Sequence, residues 1–453
     1  MAAVSNSLSQ QPAPLTLVAG LGVTGVSVIR HLLARGHRLR AVDSRCAPPG
    51  LDELAAMGGD VEVNTGELAP ELLAGADLLV LSPGLPIDIP LVVAAKAKGI
   101  EVIGDIELFA RAATCPVAAV TGSNGKSTVT ALTAELARVA GTKALAGGNL
   151  GPAALDLLSQ QSMELAVLEI SSFQLETTRS LRPRVGALLN VSPDHLDRHG
   201  SLRQYAALKG RLLEWSELAV FNRDDAIVSE LAASHPQTIS FGLTPPPSAT
   251  DYGVLTDAEG AFLARGKQRL LAAAKLSLRG AHNWNNALAA LAVVEAVGID
   301  PIAVLPALER FSGLPHRCQW LGEIAGVSYV NDSKATNPGS TVAALEGLSG
   351  PIILIAGGQT KANDLSILAE AAAQHVTAAF VFGEDRDLLR TALQPACRVV
   401  VVRDLDEAVA AAAAAARPGD TVLLSPASAS LDMFTSYMER GERFAALVAR
   451  LSS

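Results

Sequence analysis

Short apolar runs alternate with longer stretches of helical period along almost the whole chain. Leu15–Ala19 and residues 38–42 and 77–81 are β-rich, and a helix-compatible stretch follows each, which is the rhythm of βαβ units around a parallel sheet. The rhythm restarts at Cys115 with the run CPVAAV, continues through residues 165–169 and 185–190, and passes into a helical run over 283–297. It restarts again near Pro315, with strands expected at 327–330, 352–356, 379–382 and 421–424. Residues 404–416, with their alanine run, read as a plain helix, because alanine has the highest helix propensity and Pro418-Gly419 stops it. The pattern predicts an α/β chain of three segments: 1–112, 113–313 and 314–453.

Composition narrows this picture only a little. At 453 residues, 49% hydrophobic and 18% charged, the chain is globular and long enough for two to four cores. No run approaches the roughly 20 apolar residues of a membrane span. Residues 1–15 lack both the basic start and the apolar centre of an export signal. The four cysteines are scattered without a CxxC pair, as expected of reduced thiols in a cytoplasmic protein. A net charge of -9 argues against a nucleic-acid partner.

Candidate chemistry lies where predicted strands end. Residues 121–128, TGSNGKST, come directly off the CPVAAV run. This is the physical form of a nucleoside triphosphate site: the backbone around Gly122, Ser123, Asn124 and Gly125 closes on phosphate oxygens and the helix N-terminus adds its positive end. Lys126 neutralises the outer phosphates, and Ser127 or Thr128 offers a hydroxyl to Mg²⁺. Residues 20–25, GLGVTG, with Asp43 closing the second strand, form a GxGxxG-plus-acid pattern. It reads first as an NAD or FAD site, with another nucleotide diphosphate or a plain tight turn as the alternatives. Ser82-Pro83-Gly84 adds backbone donors at the same sheet edge.

Glu169, at a strand end, is placed for Mg²⁺ or for helix capping. Asp194, His195, Asp197 and His199 crowd together after another strand. Zinc has no supporting Cys or HExxH pattern, so Mg²⁺ with ATP phosphates explains the set better. Tyr205 and Lys209 share a helix face at i,i+4, and the plainest reading of Lys209 is a solvated lysine. Asn283 and Asn286 either grip an adenine or a phosphate, or are polar surface. In the last segment, residues 331–337, 357–361 and 424–432 each follow a strand. Lys334 and Lys361 are candidate anchors for a carboxylate or phosphate, and Arg317 is placed to bridge the junction as the third segment closes.

The ordered words GLGVTG, SPG, TGSNGKST, GGNLG, LEISSFQLE, NVSPDHLDRH, GAHNWNN, PHR, NDSKATN and LLSPASASLD make the chain resemble the Mur ligases from about Leu15 to the end, and within them the branch that adds D-glutamate. The resemblance implies the three-domain Mur ligase architecture: a Rossmann-like N-terminal domain, a central P-loop ATPase-like domain and a C-terminal Rossmann-like domain. It implies ATP, two Mg²⁺ ions, and UDP-N-acetylmuramoyl-L-alanine and D-glutamate as substrates, in a cytoplasmic monomer that neither binds nucleic acid nor inserts stably in a membrane.

By the same resemblance Val23, Thr24, Ser44, Arg45, Ser82 and Gly84 hold the UDP moiety rather than a dinucleotide, and Asn149 contacts the muramoyl substrate and the reaction centre. Lys126 is the phosphate-loop lysine, and Ser127, Glu169 and His195 are magnesium ligands. Lys209 carries a CO₂-derived carbamate that helps hold the second ion. Asn283 and Asn286 lie on the adenine side, and Arg317 and Asp332 contact phosphate and ribose. His316, Lys334, Thr336, Lys361, Ser430 and Tyr437 surround D-glutamate. Tyr437 stands where the family shows phenylalanine, which leaves its hydroxyl without an inherited role. A sibling ligase for another amino acid is the nearest rival, an NAD-binding oxidoreductase a more distant one, and a non-catalytic protein of the same fold a third.

Overall fold

The computed structural model of the protein describes residues 14–59, 61–160, 162–278, 280–348, 350–360 and 364–451. The chain divides into two compact units. The first is Met1–Thr121 with Lys143–Gly186 and Ala207–Glu217; the second is Gly122–Thr142 with Ala187–Ala206 and Leu218–Ser453.

The N-terminal sheet consists of β1 (Leu15–Ala19), β2 (Arg38–Asp43), β3 (Val61–Thr65), β4 (Leu78–Leu81) and β5 (Glu101–Ile103), in the order β3-β2-β1-β4-β5 and parallel throughout. The order reverses between β1 and β4, so the loops after those two strands flank the crevice where a ligand belongs in such a sheet. The middle sheet has β6 (Val117–Thr121), β7 (Ala144–Gly148), β8 (Leu165–Glu169), β9 (Val185–Leu188), β10 (Leu218–Asn222) and β11 (Thr238–Phe241), in the order β11-β10-β9-β6-β8-β7. The C-terminal sheet has the order β15-β16-β20-β17-β18-β19, from β15 (Gln319–Ile324), β16 (Val327–Asn331), β17 (Ile352–Gly357), β18 (Val376–Phe382), β19 (Arg398–Val401) and β20 (Thr421–Leu424). Only its edge strand β15 is antiparallel.

The alternation of apolar runs marked ten of the twenty strands among the described residues, β1, β2, β4, β6, β8, β9, β16, β17, β18 and β20; it did not mark β3, β5, β7, β10, β11, β15 or β19, nor one whole sheet. A three-stranded antiparallel sheet, β12 (Tyr252–Asp257), β13 (Gly260–Arg265) and β14 (Gln268–Ala272), fills the span before the helix Ala281–Ala296. Its fully buried Tyr252 donates its hydroxyl to Glu295 on that helix at 2.5 Å, and Arg265 pairs with the same carboxylate. The alanine run forms the expected helix, Leu405–Ala415, and the Asp404 carboxylate accepts from the Glu407 amide to cap it. In the first unit the helix Asp105–Ala112 buries Phe109 in one core with Leu155, Leu168 and Leu175. None of the helices among the described residues is long and apolar enough to cross a membrane.

Candidate active site

The GxGxxG turn is built for close approach. A side chain at Gly25 would strike the Gly20 carbonyl at 1.8 Å, and one at Gly20, where φ is +96°, would meet Ser82 at 2.7 Å. The Ser82 hydroxyl donates to the Gly20 carbonyl at 3.0 Å, which ties the loops after β1 and β4 together. Beside them opens a cavity of about 660 Å³, and Val23, Thr24, Ser44, Arg45, Ser82, Gly84 and Asn149 all line it. Every residue expected around the UDP moiety is therefore brought to one place. Asp43 accepts from the Leu21 amide at 2.7 Å and from the Arg45 guanidinium at 2.9 and 2.8 Å. Burial alone would raise its carboxyl, but Arg45 and the two backbone amides outweigh that and hold it near 2. The fingerprint acid is thus spent on Arg45 instead of standing open for a ribose, which counts against the dinucleotide reading.

The first unit also carries Asn149, Glu169 and Lys209. Asn149 follows β7 and donates its side-chain amide to Glu169 Oε1 at 2.6 Å. Glu169 ends β8 and is 2% exposed. Lys209, on the helix Leu202–Trp215, is 1% exposed, so the reading of it as a solvated lysine fails.

The phosphate loop opens the second unit, with Gly125 at φ +83° as the cap of the helix Lys126–Val139. A side chain at Gly125 would meet Asn286 Oδ1 at 2.4 Å, so the loop lies directly against the asparagine pair. Asn286 in turn donates to Asn283 Oδ1 at 3.1 Å, and Asn283 is buried. Asn190 clamps the loop from β9: its Oδ1 accepts from the Asn124 amide at 2.7 Å and its Nδ2 donates to the Asn124 carbonyl at 3.0 Å. The Ser123 hydroxyl donates to the Ser192 carbonyl at 3.1 Å and lies 3.3 Å from the Tyr205 hydroxyl. Lys126 Nζ donates to the Gly122 and Ser123 carbonyls at 2.8 and 2.7 Å, which curls it over the loop it serves. Ser127 is buried, Thr128 lies beside it on the first helical turn, and Arg317 donates to the Ser127 hydroxyl at 2.5 Å.

The strand ends of the C-terminal sheet collect the remaining candidates. Asp332, just past β16, accepts from the Cys318 amide at 3.1 Å and the Ser425 hydroxyl at 2.8 Å, and burial raises its carboxyl to about 6. Lys334 Nζ sits 4.0 Å over the Tyr437 ring, a cation–π contact, and the His316 ring meets that ring edge-on at 6.4 Å. His316 holds φ +64°, and burial lowers its imidazole. A cavity of about 570 Å³ is lined by Thr336, Ser430 and Tyr437 together with Asp194, His195 and Asp197. His195 sits at φ +52° with Nε2 3.6 Å from Asp194 Oδ2. Lys361 lies outside the described residues; the Thr360 amide before it donates to Asp385 at 2.7 Å.

Two features escaped sequence reasoning. Arg440, fully buried, donates to carbonyls of Ser333, Gly357 and Ser428 and so joins the loops after β16, β17 and β20. An arginine inside an amphipathic helix gives no sign of this in sequence. Gln174, beside Ser171 and Phe173, lines the nucleotide-side cavity and accompanies a buried acid, Asp105. The capping box S-x-x-Q was the signal available there.

Models of the Mur ligase MurD-like N-terminal domain, the Mur ligase middle domain and the Mur ligase glutamate ligase domain match residues 15–104, 120–294 and 316–428. A protein of Nitrosococcus oceani named UDP-N-acetylmuramoylalanine--D-glutamate ligase is 45% identical over 452 residues, covering 99% of this chain and all of the relative. The chain belongs to this branch of the Mur ligase family. The Pseudomonas aeruginosa member of the same name is 47% identical, over 96% of this chain and 98% of its own length. Among solved structures, the UDP-N-acetylmuramate-alanine ligase of Thermotoga maritima aligns with a TM-score of 0.62 at 20% identity, over 96% of this chain and 99% of that one, and so shares the Mur ligase fold.

Proposed function

We infer that the chain is the ADP-forming ligase that joins D-glutamate to UDP-N-acetylmuramoyl-L-alanine with ATP, in peptidoglycan synthesis. The observation that carries this is near-full-length identity of 45% and 47% to relatives that bear that name. In the reaction the alanyl carboxylate attacks the γ-phosphate of ATP, giving an acyl phosphate and ADP. The D-glutamate amine then attacks the acyl carbon, and the tetrahedral adduct collapses to amide and phosphate. We assign residues 1–112 to the UDP moiety, 113–313 to ATP and the chemistry, and 314–453 to the amino acid.

Two anions must meet in the first step, so the loop amides and Lys126 are assigned to neutralise the transferring phosphoryl group. Magnesium would supply Lewis-acid polarisation of the phosphoryl oxygens. Ser127, His195 and Glu169 are assigned as its ligands, each a donor type that a hard cation accepts, and within the first unit Asn149 fixes the buried Glu169 carboxylate from one side. Among the described residues no three His, Cys, Asp or Glu side chains form a ready metal cage, and water and ATP oxygens would complete the shell of a bound Mg²⁺. Carbamylation of the buried Lys209 would need its neutral amine and would add one more oxygen donor. Arg317 and Asp332 are assigned to phosphate and ribose, and Asn283 and Asn286 to the adenine side. His316, Lys334, Thr336, Lys361, Ser430 and Tyr437 are assigned to D-glutamate, and the ring of Tyr437 holds Lys334 in place. We take the protein as a cytoplasmic monomer. The test is phosphate release with ATP, Mg²⁺ and UDP-N-acetylmuramoyl-L-alanine across a panel of amino acids. D-glutamate should support turnover far above the others, and strong turnover with a different amino acid would end the assignment.

A further inference from the structure

The cavity assigned to the nucleotide sugar is lined by Gln174, whose side-chain amide is held on both sides. Its Oε1 accepts from the Ser171 amide at 3.0 Å and the Ser171 hydroxyl at 3.2 Å. Its Nε2 donates to Asp105 Oδ2 at 2.9 Å. Asp105 is 2% exposed, and its other oxygen, Oδ1, has no hydrogen-bond partner among the described residues. The amides of Asp105 and Ile106 at the helix start also favour its charged form, and Gln174 supplies its side-chain bond.

The geometry around Asp105 leaves it little freedom. It begins the helix Asp105–Ala112, whose Phe109 is in the core shared with Leu175. The Gly104 amide donates to the Thr177 carbonyl at 3.3 Å, and a side chain at Gly104 would strike Thr177 Oγ1 at 2.2 Å. Two residues on, Glu107 accepts from the Arg179 and Ser180 amides at 2.7 and 2.8 Å. The two acids thus seat this helix on both ends of the segment that carries Gln174.

A carboxylate only accepts and a backbone N–H only donates, so Asp105 and Ser171 together select one orientation of the Gln174 amide. The flipped amide would set Oε1 against the carboxylate and Nε2 against the Ser171 N–H. In the selected orientation Nε2 uses one hydrogen on Asp105 and has a second to give. We propose that Asp105 is a positioning residue for the nucleotide sugar: it fixes Gln174 so that the second Nε2 hydrogen meets an oxygen acceptor of that substrate. The inference rests on the assignment of this cavity to UDP-N-acetylmuramoyl-L-alanine.

The test is calorimetric binding of UDP-N-acetylmuramoyl-L-alanine to the full chain, with thermal unfolding measured alongside. Asp105→Ala should weaken binding about tenfold, the equivalent of one hydrogen bond, and leave the KM for ATP and for D-glutamate unchanged. The double variant Asp105→Asn with Gln174→Glu separates positioning from structure. The introduced amide donates to the introduced carboxylate, so the link between the two residues survives with its polarity reversed and the melting temperature should stay near that of the parent. No hydrogen is left for the substrate, and binding should fall about tenfold. This variant also serves if Asp105→Ala does not fold. Parental binding by the double variant would overturn the inference alone. A parental chain that does not bind UDP-N-acetylmuramoyl-L-alanine would overturn the functional assignment and this inference with it.

Discussion

Arg440 is the side chain on which the C-terminal strand-end loops converge, and Arg440→Met tests that. Its Nε donates to the Ser333 hydroxyl at 3.0 Å, Nη1 to the Gly357 and Ser428 carbonyls at 3.1 and 3.2 Å, and Nη2 to the Ser333 and Ser428 carbonyls at 2.8 and 3.2 Å. Burial works against this cation and lowers it to about 10, with Asp432 and Asp332 pulling the other way. Methionine fills the volume but leaves three backbone acceptors short of a donor, each worth roughly 1–3 kcal/mol. Release of a buried charge offsets part of the loss, so the net destabilisation should be about 3 kcal/mol. Arg440→Lys should not rescue it, because an ammonium cannot present the planar fork that reaches three loops. Hydrogen exchange reads the effect where it occurs: protection should fall in the loops after β16, β17 and β20, and the apparent KM for D-glutamate should rise more than that for ATP. Protection unchanged in those loops, with unfolding free energy within about 0.5 kcal/mol of the parent, would refute the reasoning.

Three other outcomes follow from the same geometry. Lys126→Ala should cost at least about a hundredfold in turnover, roughly 3 kcal/mol of transition-state stabilisation, under saturating ATP and Mg²⁺; a folded variant with near-parental turnover would remove Lys126 from the mechanism. Lys209→Ala should be nearly inactive and partly restored by acetate, while Lys209→Arg should not be restored. A carbamate signal in ¹³C NMR with labelled bicarbonate should accompany the parent, and its absence with Lys209→Ala active would defeat the carbamate. Burial lowers the His282 imidazole from 6.5 to about 4, so below pH 6.5 the unfolded chain takes up a proton that the folded chain refuses until about pH 4. Stability should therefore fall through that window, and His282→Gln should remove about 2 kcal/mol of the loss at pH 5; parallel stability curves for parent and variant would contradict this.

Much of the molecule was legible in the sequence because parallel sheets put chemistry at strand ends, and strand ends are where apolar runs stop. GLGVTG, SPG, TGSNGKST and NDSKATN all sit there. The small sheet β12–β14 was not legible, because its strands are only partly buried and so carry no continuous apolar run, and its anchor is one tyrosine bonded to a residue 43 positions away. Side chains that act through other side chains were equally hidden. Asp105 and Gln174 are 69 positions apart, and Arg440 and Ser333 are 107 apart, so no local pattern joins them. Lys209 shows the reverse case, in which spacing gave the helix but exposure was misjudged: a lysine on an amphipathic helix turned out to be buried.

The central claim is that this chain spends ATP to form an amide between UDP-N-acetylmuramoyl-L-alanine and D-glutamate. Mass spectrometry of the nucleotide product, with ¹⁵N-labelled D-glutamate supplied, tests it most directly. The account predicts a product heavier by one glutamyl residue that carries the label, formed one for one with ADP and phosphate. ADP formation with no labelled nucleotide product, or an equal product yield with L-glutamate, would contradict it.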